Sequence, residues 1–245
     1  MRIFKKILLG ILVFFLLFLL IYVYIFFFYK FDNKEKWYTN NHFIGHALYG
    51  IDGLEYTNSK EALELAINNN IKVLEADFLL TTDQKLVLKH YWKDNEISSY
   101  QTFIQNKLSN KYTPLDINML LDYMEKYPDL YIVIDTKENE YSGTISNVYK
   151  QIVLETQKRN PKILERFIAQ IYSFEEYEEI KEIYNFSNYI FSTYKLQEIF
   201  PRQIAYFCLL NNIRVIAIPN DQLEKNIFTE EDIKLIKILN SILIL

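Results

Sequence analysis

Residues 72–90 read KVLEADFLLTTDQKLVLKH: an apolar run carrying two carboxylates, a polar turn, and a second apolar run that ends in a histidine. Glu75 and Asp77 are two residues apart, so on a strand both side chains point to the same face. Val73, Leu74, Ala76 and Phe78 around them suit a strand covered on both sides, not a solvated edge. Two like charges buried side by side are costly unless a proton or a cation offsets them. A hard divalent cation with oxygen ligands, magnesium or calcium in preference to zinc, meets that need.

Working outward from this segment, strand-like runs alternate with helical patterns. HFIGHA (42–47) precedes SKEALELAINNN (59–70), where Ala62, Leu63, Ala66 and Ile67 recur at helical spacing and Ser59 is placed to cap the start. After KVLEADF (72–78) and KLVLKH (85–90) come a helix in DINMLLDYMEKY (116–127) and a strand in LYIVIDTK (130–137). The alternation continues through RFIAQIY (166–172), FEEYEEIKEIYN (174–185), NYIFSTY, IRVIAIP, EDIKLIKIL and a final SILIL. Seven or eight such strands with helices between them predict an α/β fold, a TIM-type (β/α)8 barrel, for which ~200 residues is the low end. SILIL reads as the eighth strand, and the chain stops where that strand and its loop would continue, so a barrel shortened at its last strand is expected.

Parity within the runs sharpens the expectation. Ile44 and His46 share a face, as do Val73, Glu75 and Asp77; Leu86, Leu88 and His90; Val133, Asp135 and Lys137; and Ile168, Gln170 and Tyr172. In each set the apolar residues come first and the polar ones last. In a parallel barrel all those ends lie at one rim, where such folds build their sites. The cluster His46, Glu75, Asp77, His90, Asp135 and Lys137 follows. Three carboxylates suit one hard cation, two histidines suit proton transfer, and a lysine suits a phosphate oxygen. Gln170 and Tyr172 are expected to line the pocket, and Trp92 either covers it or packs beside it. The set favours phosphodiester cleavage over acyl transfer, and the sequence has neither a Gly-x-Ser-x-Gly elbow nor a His-Glu-x-x-His helix.

The N-terminus belongs to a different solvent. Residues 1–6 are basic, and Ile7–Phe28 is an uncharged apolar run of 22 residues, ~33 Å long as a helix against a hydrocarbon core of ~30 Å. Arg2, Lys5 and Lys6 predict a cytoplasmic N-terminus and an extracytoplasmic remainder. The run is too long for a signal-peptide core and its end offers no small-residue cleavage site, so a single-pass, uncleaved anchor in the cell membrane is expected. Residues 29–41 read as a tether and 42–245 as the barrel domain. Beyond residue 36 the chain holds 21 basic and 29 acidic residues, a balance of −8 that excludes a nucleic-acid footprint. Cys208, the single cysteine, cannot form an internal bridge and reads as helix core.

IGHALYG, YTNSKEAL, VLEADFLLTTDQKLVLKH and IVIDTK, in that order over residues 42–137, resemble the glycerophosphodiester phosphodiesterase family of phosphatidylinositol-phospholipase-C-like barrels, in a divergent bacterial branch. The resemblance implies catalytic histidines at His46 and His90, metal ligation by Glu75, Asp77 and Asp135, and a Ca2+ or Mg2+ cofactor. It implies hydrolysis of glycerophosphodiesters, or related phospholipid-derived or polymer head groups, in which a neighbouring substrate hydroxyl attacks phosphorus and the cyclic phosphate is then hydrolysed. The sequence departs from the commonest family pattern in four places. Ala47-Leu48 follow the first histidine instead of Arg-Gly, Tyr56-Thr57-Asn58-Ser59 stand for Pro-Glu-Asn-Thr, Tyr91 replaces an aspartate, and Asp135 replaces a glutamate. A membrane-anchored metal-dependent phosphodiesterase is therefore expected. The alternative is a degenerate barrel that binds phosphoglycerol-type surface polymers, or a partner, without turnover.

Overall fold

The computed structural model describes residues 2–30, 37–41, 43–92, 97–136, 145–196, 198–239 and 241–244. The chain divides into two compact units, Met1–Thr39 and Asn40–Leu245. The first is dominated by a helix over Arg2–Lys30. Within it Phe4–Tyr24 has a mean hydropathy of 3.0, and its side chains are exposed throughout. By length and composition this segment could cross a membrane.

The second unit is an α/β sheet structure. Its strands are β1 (Val73–Leu80), β2 (Leu86–Leu88), β3 (Tyr131–Thr136), β4 (Phe167–Ile171), β5 (Tyr189–Ser192), β6 (Val215–Ile218) and β7 (Ser241–Ile244). β1 and β3 to β7 are all parallel, each hydrogen-bonded to the next in the order β1-β3-β4-β5-β6-β7. On the other side of β1, Gly45 bridges Leu74 in parallel, with Gly45 N donating to Val73 O at 2.9 Å and Glu75 N donating to Gly45 O at 2.8 Å. The approach is close enough to require glycine: a Cβ at residue 45 would lie 2.5 Å from Leu74 Cδ2.

Two sequence expectations change here. KLVLKH is not a further parallel strand. β2 turns back antiparallel on the outer end of β1, pairing Phe78 with Leu88 and Leu80 with Leu86. The reason is reach, because residues 81–85 can close a hairpin but are too few for a parallel crossover, which needs a dozen or more. SILIL consequently occupies the seventh parallel position, counting the Gly45 segment as the first, not the eighth. Among the described residues no pairing joins β7 to the Gly45 segment.

Helices fill the connections, among them Lys60–Asn68, Ile117–Lys126, Ile145–Arg159, Phe174–Ile183, Pro201–Leu210 and Glu230–Leu239. Ser59 caps as expected, its Oγ accepting from Ala62 N at 3.2 Å, and Asp116 and Ser173 do the same for the helices after them. Each such cap satisfies a helix N–H that would otherwise have no partner and contributes about 1 kcal/mol. Strand parity then sorts the side chains into two layers. Leu74, Ala76, Phe78, Ile132, Ile134, Phe167, Ala169, Phe191 and Ile216 pack with Leu63, Leu120, Leu121, Val148, Tyr149 and Ile152 of the helices in one continuous core. The alternate positions, Val73, Val133, Ile168, Ile190 and Val215, are buried on the opposite face, inside the sheet's curve. Above them on that face come Glu75, Asp135, Gln170, Ser192 and Ala217.

Candidate active site

The polar ends converge on one cavity of about 460 Å³, lined by Ile44, His46, Tyr56, Glu75, His90, Val133, Asp135, Gln170, Tyr172, Ile190, Ser192, Tyr194 and Ala217. Six of the residues anticipated from the sequence line it: His46, Glu75, His90, Asp135, Gln170 and Tyr172. Asp77, on the same strand face as Glu75, is fully buried and is not among the lining residues. Lys137 falls outside the described residues, as does His42. Trp92 packs beside the site and does not cover it, donating from Nε1 to Leu80 O at 3.2 Å and meeting Phe103 edge-on.

His90 reaches the cavity by a route other than the expected one. Parity places His90 at the rim only on a parallel strand, yet β2 runs the opposite way. Because β1 extends outward to Leu80, the hairpin returns the chain toward the rim, and Lys89 N donates to Asp77 O at 2.9 Å. The next residue, His90, therefore arrives at the level of the carboxylates. The same spacing gave the right place for the wrong reason.

Glu75, Asp77 and Asp135 form a trio whose ligand atoms all lie within 4.8 Å of one another, and all three residues are buried. The pairing of β1 with β3 sets Asp77 directly opposite Asp135. At that separation each ionised pair repels by about 3 kcal/mol or more for an effective dielectric of about 20. Local donors offset part of this. Asn58 clamps Asp77 twice, donating Nδ2 to Oδ2 at 2.7 Å and accepting the Asp77 N–H at 3.1 Å. Glu75 Oε2 accepts the Ala47 N–H at 3.0 Å and lies 3.3 Å from His46 Nε2. Asp135 Oδ1 accepts from the Tyr172 hydroxyl at 2.9 Å, which in turn accepts from Gln170 Nε2 at 2.5 Å. Burial, then the neighbouring Asp135 carboxylate, raises the Tyr172 phenol, so it stays a donor. Amide and hydroxyl donors offset such a cluster only in part, and a hard-oxygen donor set of this compactness fits a magnesium or calcium ion.

The turn that carries His46 is under strain. Ala47, Leu48 and Tyr49 all take positive φ (47°, 62° and 93°), a region that costs non-glycine residues of order 1 kcal/mol or more each. Burial of Ala47 and Leu48 and the Tyr49 N–H bond to His46 O at 2.7 Å hold the turn in place. The strained shape directs the Ala47 N–H onto Glu75. Tyr56 lies between the two histidines, edge-on to His46 at 5.0 Å and tilted against His90 at 4.5 Å.

The sequence marks Tyr56 and Asn58 only as part of the segment that stands for Pro-Glu-Asn-Thr, and it does not mark Ser192, Tyr194 or Lys195. Asn58 is fully buried at φ 48° and meets Asp77 from 19 residues away, a contact no local pattern discloses. Ile190, Ser192 and Tyr194 could have been found, because NYIFSTY repeats the same two-residue period. The Lys195 ammonium sits 3.8 Å over the Tyr172 ring, a cation at the edge of the wall. On the helix that follows β4, Glu176 is buried and accepts from the Tyr172 N–H at 2.6 Å, and its carboxyl is pushed up to about 7, chiefly by burial.

The chain matches no protein-family model and no curated protein. Among solved structures it resembles a glycerophosphodiester phosphodiesterase from Parabacteroides distasonis, with 16% identity, 84% of each chain covered and a TM-score of 0.62. A glycerophosphodiester phosphodiesterase from Thermotoga maritima matches at 18% identity over 84% of this chain and 85% of that one, with a TM-score of 0.57. An Oleispira antarctica phosphodiesterase, in complex with the product sn-glycerol-3-phosphate, matches at 14% identity over 82% and 83%, with a TM-score of 0.62. At these identities the likeness is one of fold: the second unit has the barrel architecture of the glycerophosphodiester phosphodiesterases.

Proposed function

We propose that the protein is a membrane-anchored, divalent-metal-dependent phosphodiesterase acting on glycerophosphodiesters or related lipid or polymer head groups. The observation that carries this reading is the meeting of two histidines and two of three clustered carboxylates on one cavity, in a fold shared with solved glycerophosphodiester phosphodiesterases. The product seen in the Oleispira antarctica phosphodiesterase supports a glycerol-phosphate-bearing substrate. In this reading Glu75, Asp77 and Asp135 hold a calcium or magnesium ion, which when bound supplies charge neutralisation for the phosphate oxygens.

The protein's own groups do the remaining work. Asn58 fixes the Asp77 carboxylate, and Tyr172, held by Gln170, fixes that of Asp135. A glycerol hydroxyl of the substrate attacks phosphorus, forming a new P–O bond as the bond to the leaving alcohol breaks. One histidine takes the proton of the attacking hydroxyl and the other gives a proton to the departing oxygen. Water then opens the cyclic phosphate with the histidine roles reversed, returning both to their starting states. The lower barrel wall, Val133 and Ile190, limits water at the phosphate. The apolar run of residues 7–28, which overlaps the helical span Phe4–Tyr24, anchors the chain, with residues 29–41 as tether and 42–245 outside the cytoplasm.

The test is turnover of glycerophosphodiesters by the full-length chain in detergent, with calcium or magnesium and then with chelator. Release of glycerol phosphate that chelator stops, and that His46→Ala and Glu75→Ala abolish, is expected. Turnover under no metal, or turnover indifferent to those substitutions, contradicts the reading. Metal-dependent binding of a phosphoglycerol polymer without turnover would instead favour a binding barrel, for which Ala47-Leu48 in place of Arg-Gly is the motivating feature.

A further inference from the structure

A second cavity, about 450 Å³, adjoins the first and shares two wall residues with it, Tyr56 and His90. Its remaining walls include Glu55, Thr57, Lys89, Tyr91 and Ser109. We propose that this cleft is the site of the leaving alcohol, and that it takes an uncharged polyol or glycosyl group. The inference rests on the phosphodiesterase reading above.

Displacement at phosphorus puts the attacking and leaving oxygens roughly in line, so the two halves of a diester extend in opposite directions. Two cavities of small-ligand size that meet at one histidine provide room for both halves, with a proton-transferring ring at the junction. Tyr56 and Tyr91 are about half exposed, and each ring contacts His90, at 4.5 Å and 5.4 Å. Exposed tyrosines offer a flat apolar face for C–H groups and a hydroxyl for hydrogen bonding. Ser109 adds a side-chain hydroxyl, while that of Thr57 is already paired with Ser59 Oγ at 3.0 Å.

Charge decides among ligand classes. Glu55 and Lys89 both line the cleft, and the Lys89 ammonium lies 5.1 Å over the Trp92 ring. One lysine sharing a cleft with a carboxylate is a poor seat for a second phosphate, which calls for converging cations. A quaternary ammonium would meet the Lys89 ammonium together with Glu55 and the tyrosines, so the attraction of the one carboxylate is offset and charge does not select it. A polyhydroxy group without charge pays neither penalty and finds donors and acceptors of both kinds.

The experiment compares kcat/KM of the full-length chain in detergent, with calcium and with magnesium, on glycerophosphoinositol, glycerophosphoethanolamine and glycerophosphocholine. The expected result is a preference for the inositol diester of about tenfold or more, falling toward one in Tyr91→Ala. Calorimetric binding of glycerophosphoinositol to His46→Ala, with and without Tyr91→Ala, provides a readout independent of turnover. Hydrolysis of all three diesters at similar kcat/KM, or a preference that Tyr91→Ala leaves intact, overturns the cleft while sparing the phosphodiesterase reading. Absence of hydrolysis together with binding that Tyr91→Ala weakens about tenfold supports the cleft and fails the phosphodiesterase reading. Absence of hydrolysis with no binding, or with binding indifferent to Tyr91, overturns both.

Discussion

The two halves of the barrel wall do different work. From Gly45 to Thr136, the Gly45 turn, β1, the β2 hairpin and β3 bring His46, Glu75, Asp77, His90 and Asp135 together. From Tyr189 onward, β5 and β6 give the same cavity Ile190, Ser192 and Ala217. Both halves obey the same two-residue period and the same packing on helices. Only the first puts carboxylates on the cavity wall, and it does so with support: Asn58, Ala47 N–H and Tyr172 each hold one carboxylate of the trio. Charge in a buried wall has to be held, and the holding groups mark where chemistry is placed. The apolar half supplies shape.

If that division is right, substitutions in the first half should remove activity and those in the second should alter fit or stability. The largest effect is expected for Asp77→Asn and for His90→Ala. Each should lower kcat/KM by about 10³-fold, the first with loss of metal binding and the second with metal binding kept. Comparable losses from Ser192→Ala would erase the contrast between the halves.

Glu176 tests the boundary between them, since it sits behind Tyr172 at the end of β4. Its folded-state pKa of about 7 lies above the ordinary 4.5, mainly through burial. Between those values the folded chain holds a proton that the unfolded chain has released. Stability therefore falls as pH rises from about 4.5 to 7 and levels off above. Glu176→Gln should remove this slope, worth up to about 3 kcal/mol, in denaturant melts taken across that range. A slope unchanged by the substitution would show that Glu176 is not its source.

Smaller effects follow at two further positions. Ser192 is fully buried, and its Oγ has no hydrogen-bond partner among the described residues. Ser192→Ala should stabilise the chain by about 1 kcal/mol, read as a shift in denaturation midpoint. Ala47 is fully buried at φ 47°, where glycine is at ease. Ala47→Gly should stabilise by about 0.5 kcal/mol through relief of that strain, and a destabilisation would show that the turn is not strained as described.

Much of this was legible in the sequence because burial forces regularity. A strand covered on both faces must alternate its partners, so a polar residue at one parity near a strand's end stands out. Glu75, Asp135, Gln170 and Tyr172 were found that way. KLVLKH reads as one more strand of the parallel series, although its five-residue link, 81–85, already excludes a crossover. The contacts of Asn58 and Tyr56 lie beyond reach for another reason. Their meaning lies in partners 19 and 34 residues away, Asp77 and His90, brought near only by the fold. The strained turn at Ala47–Tyr49 was likewise hidden, since none of its three residues favours positive φ.

Whether Glu75, Asp77 and Asp135 form one metal site is decided by titrating calcium and magnesium into the full-length protein by calorimetry. Saturable binding of one ion per chain is expected, lost in Asp77→Asn and in Glu75→Gln. Saturable binding that survives both substitutions, or no binding of either ion by the unsubstituted chain, would contradict that assignment.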